Sequence, residues 1–155
     1  MKQVYVIGTC DTKGEELAFA VQCIRAAGGD AVLVDVSTTA HDKPCDIKAA
    51  TIAASHPQGV AAVLGKSDRG EAVSAMANAL AIWLPQQQDI GGVLGLGGSG
   101  NTAIVTEAMR ALPVGVPKLM LSTLASGQVA GFVGPTDICM MHSVVDIAGL
   151  NSISR

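Results

Sequence analysis

Charge is scarce in this sequence. Only 15% of its 155 residues are Asp, Glu, Lys or Arg, against roughly 25% in ordinary soluble domains. A net charge of −3 leaves no basic stripe, and one Trp, one Tyr and two Phe supply few ring faces for base stacking, so nucleic acid is not the expected partner. The four cysteines, Cys10, Cys23, Cys45 and Cys139, include no CxxC pair, which argues against a zinc cage or a dense disulfide scaffold. No apolar run reaches membrane-spanning length, and the amino terminus enters a strand pattern without the basic and apolar regions of a signal peptide. The expectation is a cytoplasmic protein with reduced thiols and no membrane partner. His41, His56 and His142 share no spacing and are assigned no role.

What is abundant is apolar residue and glycine: 49% hydrophobic, with 18 Gly. So little charge for so much apolar surface predicts self-association or a partner domain. The pattern along the chain alternates. QVYVIG (3–8) reads as a strand, residues 15–29 as a helix stopped by Gly28 and Gly29, and DAVLVDV (30–36) as a second, parallel strand. Residues 37–70 are less regular, with a short helix possible in IKAATIAASH. An alanine-rich helix follows over 71–86, a strand over 90–96, a helix over 102–112, and apolar strand runs over 117–123 and 136–143. Short strands apolar on both faces, alternating with helices, predict an α/β fold: a Rossmann-like open parallel sheet of about five strands with helices on both faces. With strand order 2-1-3-4-5, the loops after the first and third strands flank the point where the order reverses, which is where such sheets bind ligands.

Three loops carry the chemistry. GLGGSGNT sets Gly95, Gly97, Gly98 and Gly100 within six positions, between a strand and a helix. Bare backbone N–H groups at a helix start form an anion-binding concavity, here suited to phosphate. Ser99, Asn101 and Thr102 either add donors or cap the helix; the plainer alternative is a tight turn whose glycines serve packing. The loop is neither a Walker A sequence nor a dinucleotide fingerprint. GTCDTKGEE offers Thr9 and Thr12 as donors, Lys13 as a cation for phosphate and Asp11 as a magnesium ligand, or else a capping box with Glu15 or Glu16. STLASG offers Ser122, Thr123, Ser126 and Gly127, which equally fit a strand-to-helix turn. Asp35, at the end of the second strand, reads as a turn or cap residue. KSDRGEAV (66–73) reads first as a capped helix start, and second as Arg69 reaching a phosphate or a neighbouring subunit.

VIGTCDTKGEEL, DRGEAV, GVLGLGGSGNTAI, VPKLMLSTLASGQVAGFVGPTDI and SVVDIAGLNSIS, in this order through nearly the whole chain, resemble the amino-terminal domain of the Tm-one-like ATP-binding family. The resemblance implies a Rossmann-like domain over 1–145 that binds ATP with magnesium. Residues 146–155 would begin a crossing segment to a second domain beyond this chain. On matching positions it implies nucleotide contacts at Thr9, Asp11, Thr12, Lys13, Gly97, Gly98, Ser99, Gly100, Asn101, Thr102, Ser122, Thr123, Ser126 and Gly127. No general base or nucleophile is legible, so binding or regulation competes with phosphoryl transfer. An enzyme acting on a phosphorylated small molecule, or a packing module without a ligand, are the rival readings.

Overall fold

The computed structural model describes residues 2–144. Five parallel strands, β1 (Gln3–Gly8), β2 (Ala31–Asp35), β3 (Ile90–Gly97), β4 (Lys118–Ser122) and β5 (Cys139–His142), form one sheet in the order β2-β1-β3-β4-β5. The helices are α1 (Cys10–Ala26), α2 (Ala49–Ala53), α3 (Ala61–Leu64), α4 (Arg69–Trp83), α5 (Ser99–Arg110) and α6 (Ala130–Val133). This is the expected doubly wound α/β architecture. The proposed crossing segment, 146–155, lies outside the described residues.

The strands alternate between two cores. Tyr5, Ile7, Val93 and Met120 face a large apolar layer closed by Met76, Leu80, Ile104 and Met109 of α4 and α5. On the opposite face Val6 and Leu33 pack under Leu17 and Val21 of α1. Among the described residues, that second layer stops short. Register places Leu119 and Leu121 of β4 and Cys139 and Met141 of β5 beside Leu94 and Leu96 of β3, yet α1 packs on β1, β2 and β3. Leu119 and Leu121 are only half-buried, Cys139 is exposed, and Met141 is 57% exposed. The amino-terminal edge of the sheet is tied by polar clamps: Tyr5 and Gln3 donate to Asp89 at 2.6 and 2.7 Å, and buried Lys118 donates to Asp137 at 2.6 Å.

Two details position the opposite edge. First, α1 begins at Cys10, not near residue 15, because acceptors from the β2 end meet its first amides. Asp35 accepts from Cys10 N–H (3.1 Å), Ser37 N–H (3.0 Å) and the Ser37 hydroxyl (2.5 Å). His41 Nδ1 accepts from Lys43 N–H, which leaves Nε2 to donate to Asp35 at 2.9 Å. The Ser37 oxygen accepts from Asp11 N–H at 3.1 Å. Burial alone would raise the Asp35 pKa; the hydrogen bonds from Ser37, Cys10 and His41 outweigh it and hold the carboxyl below its usual 3.8. The same carboxylate acts with burial on Cys10, pushing its thiol up to about 12.

Second, α5 begins at Ser99, not Thr102, directly off β3. Gly97 has φ +153°, and a Cβ there would lie 2.8 Å from Asn101 Cβ, so the chain turns into α5 only with glycine at this position. Gly95 is excluded from carrying a side chain for a different reason: a Cβ would collide with Met120 Sδ and stand 2.8 Å from Val105 Cγ1.

Two outcomes follow from this framework. Gly95→Ala is expected to lose about 1–3 kcal/mol in chemical denaturation, the usual range for overpacking a tight core. Asp35→Asn is expected to cost about 1–3 kcal/mol at pH 7, since buried donors lose their charged acceptor. Because the folded-state pKa of Asp35 is lowered, its contribution is complete above the unfolded value of 3.8 and disappears as pH falls through the folded value. The variant's stability, measured by urea titration from neutral to strongly acid pH, is therefore expected to fall less steeply on the acid side than the parent's.

Candidate functional site

All carboxyl ends of a parallel sheet lie on one edge, and the strand order reverses between β1 and β3. An open cleft of about 610 Å³ lies there, within the range of small-molecule sites, which run to roughly 300–1,000 Å³. One wall is Thr9, Asp11, Thr12 and Lys13 from the start of α1, and another is Gly98, Ser99, Gly100 and Asn101 from the start of α5. Thr123 closes the β4 side, Thr38 and Thr39 the β2 side, and Lys66, Ser67 and Arg69 enter from the start of α4. A hollow of about 290 Å³ over residues 40–50 adjoins it, sharing Thr38 and Thr39.

Three long helices thus begin at this cleft, but their orphan amides fare differently. The first amides of α1 are taken by Asp35 and Ser37. α4 is capped by Asp68, which accepts from Glu71 N–H at 2.8 Å. At α5 the N-cap is Gly98 and no side chain caps the helix. A Cβ on Gly98 or Gly100 would find no atom nearer than 3.7 Å, so the space over this turn is open. Uncapped N–H groups and the positive end of the helix dipole are the features by which a helix start attracts an anion.

The polar side chains of α5 are turned away from capping. Thr102 donates to Gly98 O (2.7 Å) and shares a hydrogen bond with buried Ser122 at 2.6 Å. Ser122 also accepts from Leu124 N–H at 3.0 Å. Thr102 and Ser122 therefore hold the β3 and β4 loops together rather than line the cleft. Asn101 is 4% exposed; its Nδ2 donates to Leu96 O at 2.6 Å. Its Oδ1 is buried with no hydrogen-bond partner among the described residues. A buried acceptor left without a donor costs about 1–3 kcal/mol. Gly97 supports the turn from behind, and Ser126 and Gly127 are exposed and outside the cleft lining.

Opposite, the capping box considered for GTCDTKGEE does not form: Thr9 is the N-cap but its side chain makes no cap bond, and its hydroxyl pairs with that of Thr12 at 3.0 Å. Asp11 Oδ1 shares the Ser37 hydroxyl proton at 3.1 Å. Among the described residues no cluster of three His, Cys, Asp or Glu forms a protein-built metal cage. Magnesium needs no such cage, since it keeps its waters and binds through one or two carboxylates and ligand phosphates; among the described residues, Asp11 is the one carboxylate in the cleft lining. Lys66, Ser67, Thr38 and Thr39 were not evident as site residues from the sequence, because no local spacing tells that residues 66–69 return to residue 100. The one signal was Arg69, a cation set just after a helix N-cap, where the dipole disfavours it.

Residues 2–155 match the model of the N-terminal domain of the uncharacterised protein family UPF0261. A UPF0261 protein of Rhizobium meliloti is 56% identical over the whole of this chain, which spans 39% of that relative. A UPF0261 protein of Clostridium tetani is 40% identical over 99% of the chain, again covering 39% of the relative. The ToMV resistance protein Tm-1 of Solanum lycopersicum is 35% identical over 99% of the chain and 23% of its own length. The chain thus spans about two fifths of the bacterial relatives it matches, and it belongs to the UPF0261 family, in the part that forms the N-terminal domain.

Proposed function

We propose that this chain is the nucleotide-binding domain of a longer, two-domain cytoplasmic protein, and that it takes ATP with magnesium in the cleft between β1 and β3. The observation that carries the reading is the uncapped start of α5 at the floor of that cleft, with the unpartnered Asn101 Oδ1 beside it. In this reading the amides of Gly98 to Asn101 hold phosphate oxygens, with Ser99 and Thr123 as hydroxyl donors. Lys13 adds positive charge from the facing wall, with Thr9 and Thr12 beside it, and Asp11 holds the magnesium ion. That ion would neutralise polyphosphate charge; the protein side would orient it through Asp11, itself fixed by Ser37. The adjoining hollow gives a ligand larger than phosphate room to extend. Support for a cytoplasmic location is that all four cysteines are free and that no described helix is long and apolar enough to cross a membrane.

The bare apolar strip along β4 and β5 supports a second element of the proposal: the chain self-associates through it. Apolar surface of this kind, continuous across two strands, is characteristic of an interaction site.

ATP with magnesium is expected to raise the melting temperature, since a ligand at 100 times its Kd adds about 2.7 kcal/mol. Gly98→Val is expected to melt near the parent temperature and to lose that shift. Sugar phosphates stabilising the parent while nucleotides do not would favour a phosphosugar-type enzyme instead, and no shift with either class would leave only a packing module. In sedimentation, the parent is expected to form a concentration-dependent dimer and Met141→Asp to remain monomeric; a parent that stays monomeric at high concentration removes the self-association.

A further inference from the structure

The two faces of the sheet are finished unequally, and the handedness of the fold explains why. From β2 to β5 every crossover moves across the sheet in one direction, so their common right-handed sense puts α4, α5 and α6 on one face. Only β1–α1–β2 runs the other way, and among the described residues α1 is the one helix on the opposite face. Leu119, Leu121, Cys139 and Met141 are therefore left as a floor with no helix over it. The floor has a wall. Two contacts mark the flank of α1 that faces the chain after β2: a Cβ on Gly14 would stand 3.2 Å from Lys43 Cδ, and Arg25 lies 3.9 Å from Asp46. At about 100° per residue, Phe19 and Cys23 fall on the other flank, toward β4. Both are exposed, Phe19 by 67%. Floor and wall make a groove along the strands, and none of these six residues is charged.

Its width and its position say what fills it. Neighbouring strands lie about 4.8 Å apart, and an α-helix with its side chains measures about 10–12 Å across, so a floor of two strands is one helix wide. The edge strand β5 forms half of that floor, so the described chain ends beside the groove. The match is to an N-terminal domain, and the chain spans 39% of the Rhizobium meliloti relative, so most of such a protein follows this point. Resting on the two-domain reading above, we infer that the groove seats one amphipathic helix from the part of the longer protein that follows this chain. The helix lies beside α1 with its apolar face on β4 and β5, completes the second core layer and fixes the second domain against the first. A second copy of the chain brings a groove of its own to this groove, whereas a helix is the convex shape that fills it. A tethered helix also competes at an effective concentration of about millimolar. Self-association through the strip is then a property of the isolated chain, where a second copy covers what the helix covers in the longer protein.

The test reads Cys139, an exposed thiol on the floor, by its rate of alkylation with iodoacetamide, followed by peptide mass spectrometry and referred to the rate in urea. In the isolated Met141→Asp chain, a monomer by sedimentation, Cys139 is expected to react near the unfolded rate. In the longer protein it is expected to react at least about tenfold more slowly, at every protein concentration. Met141→Asp in the longer protein is expected to bring that rate back toward the unfolded value and to lower the melting temperature. The same change in the isolated chain is expected to leave melting near the parent temperature, because Met141 is 57% exposed there. Rapid alkylation of the longer protein, or protection that Met141→Asp does not relieve, overturns the docked helix. Protection that vanishes on dilution assigns the groove to a second copy and overturns it equally. Limited proteolysis tells these failures from failure of the reading beneath them: the longer protein is expected to release a stable fragment ending near residue 155, and absence of such a fragment overturns the two-domain reading itself.

Discussion

The buried carboxylate of Asp35 is the constraint on which the ligand-facing edge depends. It gathers donors from three segments: the first amide of α1, the Ser37 turn and the His41 ring. A dinucleotide fold would use an acid at the end of its second strand on a ribose. Here both oxygens are engaged internally, so Asp35 organises the edge instead of meeting a ligand. The consequence is a division of labour among helix starts. Asp35 and Ser37 satisfy the first amides of α1, Asp68 caps α4, and of these three helices only α5 receives no side-chain acceptor at its start. The start left without a side-chain acceptor is thus the one beside the strand-order reversal.

The glycine cluster divides in the same way, and the packing reading accounts for only half of it. Gly95 is bare because Met120 and Val105 press on it, and Gly97 because the turn needs a positive φ with Asn101 behind it. These two serve packing. Gly98 and Gly100 have room for a side chain toward the cleft, so internal packing does not explain them. The run thus joins a tight core to an open surface within six residues, with each glycine answering a different neighbour.

The fold was largely legible because its signal is periodic. Alternating apolar strands and helices predicted five parallel strands, and the loops after β1 and β3 do meet across the strand-order reversal. The capped helix start read in KSDRGEAV is there, with Asp68 capping α4, but the starts of α1 and α5 were not legible. Thr9 and Gly98 carry no capping bond of the local kind that sequence patterns encode, and α1 is started by acceptors 25 and 26 residues away. The same distance problem hid the α4 side of the cleft. The small polar residues after β4 show the opposite failure: Ser122 looks like a ligand-facing hydroxyl in sequence, yet its burial commits it to Thr102 and Leu124. A hydroxyl's role depends on what surrounds it, which spacing does not report.

The cleft also collects features that disfavour the ligand-free protein. α5 lacks a side-chain cap, where a good cap commonly contributes about 1 kcal/mol. Asn101 buries an acceptor without a donor, and Arg69 sits against the dipole of its own helix. Each has a simple remedy available to a chain under no other demand: a Ser at position 98, an apolar side chain at 101, a Glu at 69. Two of them, the α5 start and Arg69, face the cleft and are answered by negative charge; a second buried atom without a partner among the described residues, His142 Nδ1, lies at the end of β5 outside it. On the proposed reading, an uncapped helix start and a cation set against its own dipole are local costs that a bound anion offsets.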